Sequence, residues 1–165
     1  MQNEDVVREF FDAYQQHAYP RMQPLISPDV HFEDFAFDIH GPDVFAMWRW
    51  FCLPGEPRGP VEVPWFGDIR RNGKTVTAGY RVAYTYGEDR RPVDYVIRST
   101  FRIENGRIAK QHDRGSIFTW TRQAFGLPYA LISWTPLFKA KVVREARKKL
   151  DAFIESTGAA ASKTP

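Results

Sequence analysis

Cysteine is nearly absent from this 165-residue chain, with Cys52 the only one. A lone thiol excludes an intrachain disulfide, and nothing else suggests an oxidising compartment. No apolar run reaches the roughly 18 residues that a membrane span needs. The first residues, Met1-Gln2-Asn3-Glu4-Asp5, are acidic and lack a signal-peptide core, so a cytoplasmic protein is expected. Gly-x-Gly does not occur, and a Walker loop and a nucleophile elbow are also missing. The four histidines, His17, His31, His40 and His112, show no His-x-x-x-His spacing, and there is no Cys-x-x-Cys. They read as surface or rim histidines, and no metal or other cofactor is expected. Cys52 sits at the end of an aromatic stretch, Trp48–Phe51, and reads as a buried filler.

Charge of one sign is scarce except at the end. Residues 1–123 carry 16 basic and 17 acidic side chains, whereas residues 124–165 carry 7 and 3. The excess is modest, and no nucleic-acid motif accompanies it, so nucleic acid is not an expected partner. Aromatic residues are plentiful: 13 Phe, 7 Tyr and 5 Trp. Such rings fill a core or line a cavity for a flat apolar ligand. The length suits one domain able to bury a core.

Val6, Val7, Phe10, Phe11 and Tyr14 recur at helical spacing and predict an amphipathic helix running to about Tyr19 and stopped by Pro20. A helical turn is expected around residues 22–26, with a break at Ser27-Pro28-Asp29. Gly41-Pro42-Asp43 reads as the start of a second helix that buries Val44, Phe45, Trp48 and Phe51. Residues 53–64, with four prolines and two glycines, read as a loop. Alternation then predicts long strands through Val76–Tyr86 and Val93–Ile103. Asn105-Gly106 makes a tight hairpin into a returning strand from Ile108 to Thr119.

One stretch combines fold and chemistry. In Val30-His31-Phe32-Glu33-Asp34, a regular strand places Asp34 on the face of Val30 and Phe32, away from His31 and Glu33. A carboxyl in an apolar wall has its pKa raised by desolvation and suits proton transfer. The alternative is an Asp34 just past the strand end, solvated or capping a turn.

The order of parts resembles the nuclear transport factor 2-like superfamily. The resemblance rests on Phe10-Phe11-Asp12-Ala13-Tyr14, on Pro28 to Asp34, on His40-Gly41, on Phe101 to Ile108 and on Gln111-His112-Asp113. It implies an α+β fold, a cone-shaped curved antiparallel sheet wrapped around N-terminal helices, with a C-terminal helical extension. The cone domain would span residues 1–123, the extension 124–155 and a disordered tail 156–165. A block from Phe118 to Pro128, followed by Trp134-Thr135-Pro136, is similar to uncharacterised bacterial members. The resemblance to ketosteroid isomerases puts Asp34 at the position of the general base. The oxyanion-hole tyrosine and aspartic acid fall on Phe10 and Ser99, which departs from that machinery. Resemblance to SnoaL-type cyclases makes Asp113 the second pocket acid, with Gln111 and Ser99 as polar orienters. The implied ligand pocket adds Phe10, Tyr14, Phe32, His40 at its mouth, and Trp48, Trp65 and Tyr84 as lining.

These expectations point to a cofactor-independent enzyme that moves protons on an apolar, ring-containing carbonyl compound, as an isomerase, dehydratase or cyclase. A homodimer is expected from the superfamily. The competing class is a non-catalytic ligand- or partner-binding protein, in which the cavity is plugged by its own rings. Thr135-Pro136 starts a last helix with Leu137, Val142 or Val143, Ala146, Leu150 and Phe153 or Ile154 on one side, and lysines and arginines over the rest. That helix is expected to pack on the cone or across a dimer; contact with an anionic membrane surface and a lid over the cavity are the less favoured alternatives.

Overall fold

Strand pairing sets the frame for everything that follows. The computed structural model describes residues 2–53 and 61–161. Six strands, β1 (Ile26–Glu33), β2 (Asp38–His40), β3 (Glu62–Asn72), β4 (Thr75–Tyr86), β5 (Arg91–Glu104) and β6 (Arg107–Arg114), form one sheet ordered β2-β1-β6-β5-β4-β3. Neighbours run antiparallel except β1 and β6, which are parallel. The helices are α1 (Asn3–Gln15), α2 (Tyr19–Met22), α3 (Pro42–Cys52), α4 (Ile117–Phe125), α5 (Leu127–Ala130) and α6 (Pro136–Ala161), with a 3-10 turn over Gln23–Leu25. This is the expected α+β plan: an open six-stranded sheet, N-terminal helices against it and a helix at the C-terminus.

Val6, Val7, Phe10, Phe11, Ala13 and Tyr14 form the buried stripe of α1, which packs against β3 and β4. The Asp5 carboxylate accepts the Gln2 backbone N–H at 3.0 Å, satisfying a donor at the helix start. The helix ends at Gln15, short of Tyr19, and His17 turns the chain with a φ of 53°. Pro20 does not stop α1; it sits in the first turn of α2, where its missing N–H costs nothing.

Three strand boundaries differ from the sequence reading; the first is β1, which begins at Ile26 and contains the Ser27-Pro28-Asp29 expected as a break. The segment expected as a loop contains the start of β3 at Glu62, with Pro64 inside the strand; residues 54–60 lie outside the described ones. β3 is an edge strand, so a proline there does not remove a sheet hydrogen bond on both sides. β6 stops at Arg114 instead of Thr119, because Ser116 caps α4 by accepting the Thr119 N–H at 3.1 Å. The Asn105-Gly106 hairpin forms as read, with φ of 51° and 73° joining Glu104 to Arg107.

Helix α6 lies against α3. Leu150 is fully buried, the Trp50 and Phe153 rings stack at 6.2 Å, and Arg147 bridges Asp43 at 2.5 Å and Asp151 at 2.7 Å. Leu137 departs from the expected stripe and is 86% exposed. At 3.6 residues per turn it falls opposite Val142, Ala146 and Leu150. The helix also runs on through residues 156–161, which were expected outside it; residues 162–165 are not described. If α6 is welded to the body this way, Leu150→Ala should cost about 2–5 kcal/mol in urea unfolding, while Leu137→Ala should stay within about 0.5 kcal/mol.

Candidate functional site

Register brings the polar groups of three strands into one row. Ser99 on β5 pairs with Asp113 on β6 and with Ala78 on β4. One row along, Phe101 pairs with Gln111, and Gln111 pairs across the parallel junction with Phe32 of β1. Period-two alternation therefore puts Ser99, Gln111 and Asp113 on the inner, apolar face, and all three are buried.

Asp113 is held by three donors. The Tyr80 hydroxyl donates to Oδ2 at 2.5 Å; the Ser99 hydroxyl and the Gln111 amide donate to Oδ1 at 2.5 and 3.0 Å. Burial pushes the Asp113 carboxyl above its ordinary range, and those donors only partly oppose the rise. Burial likewise pushes the phenols of Tyr80 and Tyr95 well up. Both stay protonated as hydrogen-bond donors at neutral pH.

Asp34 combines the two sequence alternatives. It lies just past the end of β1, and its Oδ1 accepts the N–H groups of Ala36 at 2.7 Å and Phe37 at 2.6 Å, closing an Asx turn. Its own N–H donates to the Phe37 carbonyl at 2.8 Å. Yet the side chain is not lost to solvent, because Asp34 lines the main cavity beside Phe35, Ala36 and Phe37. Burial raises its pKa from 3.8 to about 7; the two backbone donors oppose this and the nearby Asp113 adds to it. Both bonds use Oδ1, and Oδ2 takes none among the described residues.

That cavity holds about 730 Å³ and is partly open. Tyr14, Phe32, Trp48, Tyr84, Asp34 and Asp113, all singled out from the sequence, border it. Tyr80 and Tyr95 were not singled out, although Tyr80 shares the alternating face of Tyr84, and Tyr95 pairs with Val82 across β4 and β5. That shared face was the signal that could have found them. Gly115 makes room for Tyr95, since a Cβ there would stand 2.7 Å from its ring. Another wall is C-terminal, where the sequence offered a lid as a less favoured alternative. Trp120 of α4 donates its indole N–H to the Tyr84 hydroxyl at 2.8 Å, and Phe138, Lys141, Val142 and Lys149 close one side.

Five expected lining residues lie elsewhere. Phe10 is buried in the helix–sheet core, edge-on to Trp48 at 5.1 Å and to Phe101 at 6.0 Å, and does not reach the cavity. Trp65 faces the outer side of the sheet, 43% exposed, with its ring over Gly67 and Gly79. His40 is exposed on β2, pointing away from the cavity because it pairs with His31 on the outer face of β1. Ser99 and Gln111 lie behind Asp113 and orient its carboxyl without lining the cavity themselves.

Strand pairing also defeats the spacing argument about histidines. His31 and His40 are nine positions apart yet stack at 4.0 Å, and His31 Nε2 lies 2.6 Å from Asp38 Oδ1. Together with Asp38 they are the one group among the described residues whose ligand atoms converge within 4.8 Å. A hydrogen bond from His31 to Asp38 already accounts for that contact, and the cluster is outside the cavity.

An open six-stranded sheet with helices against it thus borders an apolar cavity that reaches the half-buried Asp34 and the buried Asp113. The chain belongs to the SnoaL-like domain family, which matches residues 7–111, and its fold is that of the nuclear transport factor 2-like superfamily. Among solved structures it is similar to a candidate polyketide cyclase from Pseudomonas putida KT2440, with 17% identity and a TM-score of 0.63 over 75% of this chain and 98% of that one. It is also similar to an LEH-like epoxide hydrolase of M. tuberculosis, with 20% identity and a TM-score of 0.61 over 79% and 92%. A protein of ketosteroid isomerase-like fold from Catenulispora acidiphila DSM 44928, in complex with trimethylamine, gives 20% and 0.61 over 79% and 97%. At these identities the likeness is one of fold. A search of curated proteins finds no match.

The raised carboxyl at Asp34 fixes a sign for stability against pH. Between pH 3.8 and about 7 the folded protein keeps a proton that the unfolded chain has lost, so stability falls as pH rises across that window. Asp34→Asn keeps an oxygen for the two backbone donors and removes the ionisation. Its melting temperature should exceed wild type at pH 8, by the equivalent of up to about 4 kcal/mol, and the gap should close as pH falls towards 4.

Proposed function

We propose that this chain is a cofactor-independent enzyme that moves protons on an apolar, ring-containing carbonyl compound, by isomerisation, dehydration or aldol-type cyclisation. The observation that carries the reading is a carboxyl poised near 7 in an open apolar cavity, with a second buried carboxyl close enough to influence it. A base works best when its pKa lies near the working pH.

Asp34 is the base in this reading. Oδ1 is pinned by the turn, and Oδ2 takes a proton from the carbon next to the substrate carbonyl. The electron pair of that C–H bond moves into the ring system and charge develops on the carbonyl oxygen, which needs a donor. Phe10 and Ser99 do not provide it. Tyr95 is the better candidate, because it lines the cavity and is electrostatically coupled to Asp34, Asp113, Tyr84 and Tyr14. Asp113 is the second acid/base group, kept in one orientation by Tyr80, Ser99 and Gln111. The proton on Asp34 then returns to another carbon in an isomerisation, or to a departing hydroxyl in a dehydration.

A plugged binding module fits less well, because the cavity is open and no ion pair holds Asp34 among the described residues. A homodimer in the cytoplasm completes the reading on the resemblance alone.

The chemistry can be tested without the natural substrate. Bicyclic and tricyclic ketones in deuterated buffer should exchange their α-protons, read by NMR, at a rate that rises with pH through about 7. Asp34→Asn should slow that exchange by about 10²–10⁴-fold, and Tyr95→Phe by a smaller factor. Exchange by Asp34→Asn as fast as wild type would sink the mechanism.

A further inference from the structure

Large apolar side chains stand unusually exposed between α4 and α6. Leu127, Leu131, Trp134 and Leu137 are 55, 61, 70 and 86% exposed, and Ile132 is exposed beside them. Ala130 and Ser133 turn inward instead and are buried. A monomer rarely leaves so many large apolar groups in water within eleven residues unless something covers them.

Three polar side chains of this segment are bonded within it. The Trp134 indole N–H donates to the Leu131 carbonyl at 3.0 Å, the Ser133 hydroxyl to the Ala130 carbonyl at 2.7 Å, and the Thr135 hydroxyl to the Ile132 carbonyl at 2.7 Å. Such a segment can enter a phase without hydrogen-bonding partners at little cost.

Charge selects the occupant. Residues 114–144 contain Arg114, Arg122, Lys139, Lys141 and Arg144 and no acidic side chain. From residue 137 to 148 the outward face of α6, away from Val142, Ala146 and Leu150, holds Leu137, Arg144 and Lys148; Asp151 and Glu155 join that face only beyond it. Lys139, Arg144 and Lys148 form no ion pair among the described residues. A second copy docked on the same patch would set these cations against their counterparts. An anionic lipid surface meets both needs, taking the apolar side chains among its acyl chains and the cations at its headgroups.

We propose that residues 127–137 and the outward face of α6 form a docking surface for an anionic membrane. The protein would lie on the membrane and not span it, since no helix among the described residues is long and apolar enough to cross one. Phe125, Tyr129 and Phe138 belong to the same stretch and also line the cavity, so docking presents one edge of the cavity to the lipid. The docking argument does not depend on the chemistry inside.

Co-sedimentation with lipid vesicles tests it, read as bound fraction and independent of turnover. Wild type should sediment with phosphatidylcholine vesicles containing about a third phosphatidylglycerol, and not with phosphatidylcholine alone. The triple variant Leu131→Ser, Trp134→Ser, Leu137→Ser should lose binding while keeping the wild-type circular dichroism spectrum. Arg144→Gln with Lys148→Gln should weaken binding at least about 10-fold, as should raised salt. No sedimentation with the anionic vesicles, or undiminished binding by the triple serine variant, overturns the proposal. So does a triple variant that splits a wild-type dimer in sedimentation velocity while wild type ignores the vesicles, which assigns the patch to a second copy.

Discussion

Burying the Asp113 carboxyl is costly, and the architecture of the sheet is what offsets that cost. A carboxyl inside an apolar wall needs donors at fixed positions, because a partly satisfied buried group is worse than none. The β5–β6 register supplies Ser99 directly opposite, β6 itself supplies Gln111 two residues back, and β4 brings the Tyr80 hydroxyl from one strand further. A one-residue slip in that register would turn Ser99 outward and break the network. The same register sets Tyr95 and Ile97 along the cavity wall above it. Fold specificity and site geometry are therefore one constraint.

Asp34 is stabilised differently, and the difference matters. Its donors are backbone N–H groups of a turn, not side chains of the sheet. A turn can hold one carboxylate oxygen and leave the other open, whereas Asp113 has both oxygens bound. Two carboxyls are thereby separated: the half-buried Asp34 keeps one oxygen without a partner among the described residues, while the buried Asp113 is locked by its surroundings. Repulsion from Asp113 adds to the rise at Asp34, so a charge change at Asp113 is felt at Asp34 through the field.

Much of this was legible in the sequence, and the gaps have physical causes. Helical spacing of Val6 to Tyr14 and the alternation through Val76–Tyr86 and Val93–Ile103 gave the fold, because those elements each bury one face. β3 was missed since an edge strand need not alternate cleanly, and its inner positions are few. Asp34 was found by its place in an apolar pattern, but its real position, past the strand end, follows from the turn that Ala36 and Phe37 close, which no alternation rule sees. His31 and His40 show the same limit: a pairing across two strands leaves no trace in linear spacing. Phe10 was placed in the pocket by the resemblance, at the oxyanion tyrosine's position, and Trp65 as a large aromatic lining residue. Size does not say which side of a helix or sheet a ring serves.

The C-terminal extension has a part in the cavity that its composition alone did not suggest. Val142, Ala146 and Phe153 face the body, Lys141 and Lys149 edge the opening, and Arg147 ties the helix to Asp43 of α3. Lys149 also sits 4.5 Å over the Tyr86 ring, so its stem covers apolar surface while its charge stays in water. The result is a cavity with carboxyls and phenols at the Asp34 end and Lys141, Lys149 and Glu145, two cations to one anion, at the α6 end. A ligand that filled it would meet apolar walls along its length, the Asp34 carboxyl at one end and a mainly positive rim at the other. That gradient favours an elongated apolar body carrying its anionic or strongly polar group at the end remote from the reacting carbonyl, because the reverse orientation would set like charges together at Asp34.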